Sequence, residues 1–165
     1  MSILITFAMG VVAGVYIYFT GFTAIVYNLT VSDEERSERF VVVAESYGGC
    51  RAKCPSFQVQ ADGAYRYLFT PEVGQPEALR EGEISGGLRR DLRRSLTIRT
   101  LEEQSQEVTP ESCESYTDGI DVRYEITLDG NEYEIDSCGT NVDWNSSLWV
   151  TLNELWQEVS APGNN

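Results

Sequence analysis

The chain has 165 residues, 26 acidic against 12 basic, no histidine, and a net charge of −14 at neutral pH. So acidic a surface excludes broad recognition of phosphate backbones, and nucleic acid is not an expected partner. The missing imidazole excludes Ser-His-Asp and Cys-His catalysis, histidine ligation of zinc and a histidine pH switch.

Ile3 to Tyr27 carries no charged side chain, and the first charge is Asp33. Wound as a helix, a run of this length covers about 37 Å, against about 30 Å of hydrocarbon core. Residues 1–28 are therefore read as a transmembrane signal anchor. A cleaved signal peptide fits less well, because the start MSIL has no basic residue and no small-x-small pair borders the run. Gly10, Gly14 and Gly21 lie on one side of that helix as a candidate packing face. Through it the chain would meet a protein partner or a second copy, although G-x-x-x-G spacing also arises by chance in apolar helices. Arg36 and Arg39 after the span argue weakly for a cytoplasmic domain. They sit among Asp33, Glu34, Glu35 and Glu38, and four cysteines in one small domain suit an oxidising compartment. The expected location is the cell membrane, single-pass, with the C-terminal domain outside the cytoplasm.

Residues 29–39 read as a juxtamembrane linker, opened by the capping pattern Ser32-Asp33-Glu34-Glu35. Residues 40–159 form the expected extracytoplasmic domain, and 160–165 a disordered tail. A β-rich run begins at Phe40 and ends at Tyr47-Gly48-Gly49. Ser56–Gln60 and Ala64–Phe69 flank Asp62-Gly63, a hairpin turn signal. A short strand is expected at Glu83-Ile84. Leu88, Leu92 and Leu96 make one helical stripe, and Leu101–Pro110 reads as loop or frayed helix. Asp121–Leu128 alternates and turns at Asp129-Gly130 into Asn131–Asp136. A last helix over Ser147–Val159 places Leu148, Leu152, Leu155 and Val159 in line, with Trp149 and Trp156 beside them. The fold class expected is α+β: an N-terminal transmembrane helix, then one domain with an antiparallel β-sheet and two helices packed on one face.

Cys50-Arg-Ala-Lys-Cys54-Pro55 is the sharpest local motif. Flanking Arg51 and Lys53 would lower thiol pKa values and suit disulfide exchange or metal binding. Redox sites usually place two residues between the cysteines at a helix start, whereas here there are three between strands, which favours a static disulfide. The pairing expected is Cys50–Cys54 and Cys113–Cys138, although four cysteines allow three connectivities. No metal and no cofactor are expected, and no catalytic residue is assigned. Cys50-x3-Cys54-Pro55-x-Phe57 followed by Asp62-Gly63-x-Tyr65-x-Tyr67 resembles an uncharacterised family of small bacterial secreted or membrane-anchored domains. The leucine-spaced helix at Leu88–Leu96 is similar to that family too, while the strand before Asp62 is shorter. The resemblance implies fold and compartment and carries no activity.

Arg89, Arg90, Arg93 and Arg94 form the densest basic patch and are candidate partner-binding residues, against the alternative of a solvated helix face paired to neighbouring acids. The acidic turns at Asp118-Gly119 and Asp129-Gly130 lack calcium-loop spacing and read as β-turns. The functional expectation is a non-enzymatic, single-span anchored domain serving binding, assembly or the envelope. The alternatives are a thiol-disulfide redox protein using Cys50 and Cys54, and a small accessory subunit of a membrane complex.

Overall fold

The computed structural model describes residues 39–110 and 112–161. Four strands come first: β1 (Phe40–Gly48), β2 (Ser56–Gln60), β3 (Ala64–Phe69) and β4 (Ala78–Glu83). Helices α1 (Gly86–Ser95) and α2 (Ile98–Gln104) follow, then a 3-10 turn (Glu114–Thr117), β5 (Ile120–Leu128), β6 (Asn131–Asp136) and helix α3 (Ser147–Ser160). The strands pair antiparallel throughout in one sheet of order β4-β3-β2-β1-β5-β6.

Side-chain alternation divides this sheet into two unlike faces. Phe40, Val42 and Ala44 of β1 stand opposite Val59 and Phe57 of β2 and Leu128, Ile126 and Tyr124 of β5. All of them are buried, in one cluster with Leu88 and Leu92 of α1, Leu101 of α2, and Leu148, Leu152, Leu155 and Val159 of α3. Each buried Val, Leu, Ile or Phe among them contributes about 1.5–3 kcal/mol by leaving water. The opposite face stays largely polar. One row across it runs Glu81, Arg66, Gln58, Val43, Glu125, Glu134 from β4 to β6.

The expected fold class needs correction. The domain is a single antiparallel six-stranded sheet with three α-helices, not two. Among the described residues no helix is long and apolar enough to cross a membrane. The segment read as the anchor, 1–28, and the linker up to residue 38 lie outside the described residues, as do 162–165 of the tail. The extra helix, α2, begins before the stretch Leu101–Pro110 that read as loop or frayed helix and overlaps its first four residues. Its Thr97 cap accepts from the Thr100 N–H at 3.2 Å, and only Leu101 and Gln104 are buried. Ile98 and Leu101 are its only apolar side chains and Ile98 is exposed, which is too little to read as a periodic stripe.

Strand β4 is longer than the expected Glu83-Ile84 and begins earlier. As an edge strand, ALREGE carries little apolar alternation, so its pairing with β3 is invisible locally. Its glycine has a packing reason: the Tyr65 ring lies across Gly82, where a Cβ would come within 2.9 Å of the ring. Arg80 lies 4.9 Å over the Tyr67 ring and donates to the Val159 carbonyl, tying the sheet edge to the end of α3. A cation at a helix C-terminus also suits the helix dipole.

Candidate functional site

The least ordinary chemistry lies at the end of the sheet where β1 finishes and β5 starts. Register sets Arg123 of β5 between Glu45 of β1 and Asp136 of β6, with Tyr47 opposite Asp121. These side chains belong to the face away from the helices, yet Asp136 is 3% exposed and Asp121 4%. A buried carboxylate is tolerated only when its lone pairs are filled. Asp136 accepts from the Tyr47 hydroxyl at 2.6 Å, Arg123 Nε at 3.1 Å, and the N–H groups of Cys138 (2.8 Å) and Gly139 (3.2 Å). Asp121 accepts from the Ser115 N–H at 2.9 Å and the Ser137 hydroxyl at 2.8 Å.

Charge states follow from these contacts. Burial, and then the hydrogen bond to Asp136, push the Tyr47 phenol well above its usual range, so it stays protonated. The Asp136 hydrogen bond likewise raises Arg123. For Asp121 burial alone would favour the neutral acid, but the donors from Ser115 and Ser137 outweigh it and hold the carboxyl below its usual range. Arg123 also lies 5.6 Å from the Tyr47 ring and within 3.4 Å of Glu134. With four donors on it, Asp136 works as an acceptor hub that fixes the β6 terminus.

Cys113 bonds to Cys138 beside this network, and Cys50 bonds to Cys54 in the β1–β2 loop. The Cα atoms are 5.4 Å apart in both pairs, within the range a disulfide spans. Between the first pair, Lys53 is engaged by Glu77 at 3.0 Å. The Pro55 carbonyl accepts from both the N–H and the hydroxyl of Ser46, fastening the loop to β1. Gly49 lets the 3-10 turn close on β1, since a Cβ there would sit 2.0 Å from the Asp118 carbonyl oxygen.

The four arginines of α1 divide into two pairs. Arg89 and Arg93 donate to the carbonyls of Asp62 (2.6 Å) and Ala61 (3.0 Å), clamping the β2–β3 turn. Arg90 and Arg94 are exposed, Arg94 lying 3.7 Å from Asp91. Of the four, only the second pair is exposed. Trp149 is buried and Trp156 packs against the core, 5.1 Å from the Phe57 ring. Trp144 is 56% exposed, its ring 4.8 Å from Trp149 and edge-on to it. Gly10, Gly14 and Gly21 lie outside the described residues.

Sequence reasoning missed Tyr47, Asp121, Arg123 and Asp136. In a strand such as DVRYEITL the polar parity reads as a solvent face, and nothing in the alternation marks Asp121 there, or Asp136 at the end of β6, as buried. One local signal existed, because an Asp two residues before a turn N–H often caps it, as Asp136 does for Cys138. No family model matches the chain, and no curated protein matches it.

Proposed function

We propose that the chain is a non-enzymatic binding or assembly domain working outside the cytoplasm, tethered to a bacterial membrane by its uncharged N-terminal segment. The observation that supports this most is the cysteine inventory, in which all four are paired and none is free. Two disulfides in a domain of this size persist in oxidising compartments and are rare in the cytosol. The resemblance of Cys50–Tyr67 to secreted and anchored domains points the same way. The exposed Arg90 and Arg94 and the exposed Trp144, edge-on to Trp149, are the surfaces offered for binding a protein partner. The test is mass spectrometry of natively purified chain after thiol alkylation, with and without prior reduction. Labelling only after reduction, with both linked peptides recovered, is expected. Free labelling of all four cysteines would put the domain in the cytoplasm and end the proposal.

A second reading, thiol-disulfide exchange at Cys50 and Cys54, has one observation in its favour: the pair lies in a partly exposed loop. Against it, Glu77 takes up the charge of Lys53 that would favour a thiolate. Cys50→Ser separates the two, since a redox protein would lose activity while keeping its fold. The accessory-subunit reading is tested by Gly14→Leu, which would release the chain from its complex if the glycine face packs there.

A further inference from the structure

Cys113, Asp121 and Cys138 come from three different segments: the loop before the 3-10 turn, strand β5, and the turn after β6. The fold brings one sulfur from each cysteine and a carboxylate oxygen of Asp121 within 4.8 Å of one another. No other group of three such donors lies together among the described residues. Cys113 is 7% exposed and Asp121 4%, while Cys138 keeps partial access to solvent. The surrounding hydrogen bonds fix the donors: Ser115 and Ser137 orient the Asp121 carboxylate, and Asp136 holds the Cys138 backbone. Orientation of a ligand by neighbouring hydrogen bonds is what metal sites require beyond the donors themselves.

We propose that reduction of the Cys113–Cys138 disulfide converts this cluster into a site for a thiophilic divalent cation of the zinc type. The oxidised pair cannot serve, because a disulfide sulfur carries no thiolate charge, and the thiolate is the ligand. A dithiol reductant supplies two electrons and two protons. The Cys113–Cys138 bond breaks, two thiols form, and the reductant leaves as its own disulfide. The cation then forms two metal–sulfur bonds and one metal–oxygen bond to Asp121, and the two thiol protons pass to solvent. Zinc–sulfur distances of about 2.3 Å and zinc–oxygen distances of about 2.1 Å put tetrahedral donors roughly 3.5–3.8 Å apart. That spacing is met by small side-chain shifts from the present cluster. Two sulfurs select zinc-type cations over calcium or magnesium, and three protein donors leave a fourth position for water. Without the cation, reduction leaves the 3-10 turn and the β6 terminus without a covalent link, joined through the hydrogen bonds of Asp121 to Ser115 and Ser137. With it, the metal takes over the cross-link.

The test uses the full chain carrying Cys50→Ser and Cys54→Ser, reduced by a phosphine under anaerobic conditions and titrated with Co²⁺. One Co²⁺ per chain is expected, with a thiolate-to-cobalt charge-transfer band and the visible absorption of a tetrahedral centre, both displaced by Zn²⁺. The unreduced chain gives neither band. Asp121→Asn is expected to weaken Co²⁺ binding by at least tenfold, and Cys138→Ser to abolish the charge-transfer pattern. Where reduction unfolds the chain, Zn²⁺ is expected to restore its circular dichroism, since binding then drives folding, and to fail to do so for Cys138→Ser. A reduced chain that gains neither the band nor its fold overturns the proposal, as does Asp121→Asn binding Co²⁺ as tightly as its parent.

Discussion

Asp136 accepts four hydrogen bonds, so its loss would be felt well beyond one side chain. Asp136→Ala strips acceptors from Tyr47, Arg123 and the N–H groups of Cys138 and Gly139 at once. Each polar group left unpaired away from water costs about 1–3 kcal/mol, and solvent reaches Arg123 to relieve part of this. Urea denaturation is expected to show a loss of about 3–4 kcal/mol for Asp136→Ala, against about 1.5 kcal/mol for Tyr47→Phe, which removes one charge-assisted bond. Equal losses would mean that the backbone donors find water. Asp121 has a pH signature instead. Its folded carboxyl is held below the ordinary 3.8, so the unfolded chain takes up the proton first. The stability this adds is present above that value and fades as pH falls through it. Asp121→Asn should therefore flatten the decline in unfolding free energy as the pH falls below about 5 and on through the lowered folded value. Apart from the turn-capping position of Asp136, none of this was legible in the sequence. Burial of a strand acid depends on the loop folded over it, here the 3-10 turn, and alternation says nothing about loops.

Among the elements, the two disulfides differ in what they close. On the chain-entropy model, a bridge spanning 25 positions is worth about 3.5 kcal/mol, and one spanning 4 about 2 kcal/mol. The double variant Cys113→Ser/Cys138→Ser is expected to lower the urea midpoint more than Cys50→Ser/Cys54→Ser. The reverse order would show that the short loop holds native contacts worth more than its closure. Gly49 tests the same region through packing. An added methyl meets backbone at Asp118 rather than a movable side chain, so Gly49→Ala must displace the 3-10 turn from β1. In the sequence Gly48-Gly49 read only as the end of a strand, and Asp118-Gly119 only as a β-turn. By contrast, the hairpin at Asp129-Gly130 was plain, with φ of 51° and 84° at two residues suited to such angles. Elements whose turns or stripes are written in adjacent residues were legible. Elements defined by distant partners were not: β4 needs Tyr65 beneath it, and α2 needs the core to receive Leu101.

At the scale of the whole molecule, the alternation of β5 and the stripes of α1 and α3 told which of their residues would meet in the core. They did not tell how many helices cover the sheet. The acidic excess has a consequence that no single contact carries. Glu45, Glu81, Glu125, Glu132 and Glu134 lie exposed on the open sheet face, where Arg66 and Arg123 are the interleaved cations. Like charges so spaced repel within the compact state and relax on unfolding. Salt acts on this repulsion and on the surface ion pairs together. The exposed pairs, Lys53–Glu77, Arg66–Glu81 and Arg99–Glu103, are each worth about 0–1 kcal/mol, so screening them removes little. Screening a net charge of −14 removes more, because every excess carboxylate contributes. Raising sodium chloride from low concentration to about 0.5 M shortens the screening length to roughly 4 Å. The urea midpoint is expected to rise with salt at pH 7, and to stop rising as the pH is lowered toward the point where net charge vanishes. A midpoint that falls with salt at pH 7 would mean that the Arg66 and Arg123 pairs outweigh the repulsion, and that the open face is organised by attraction.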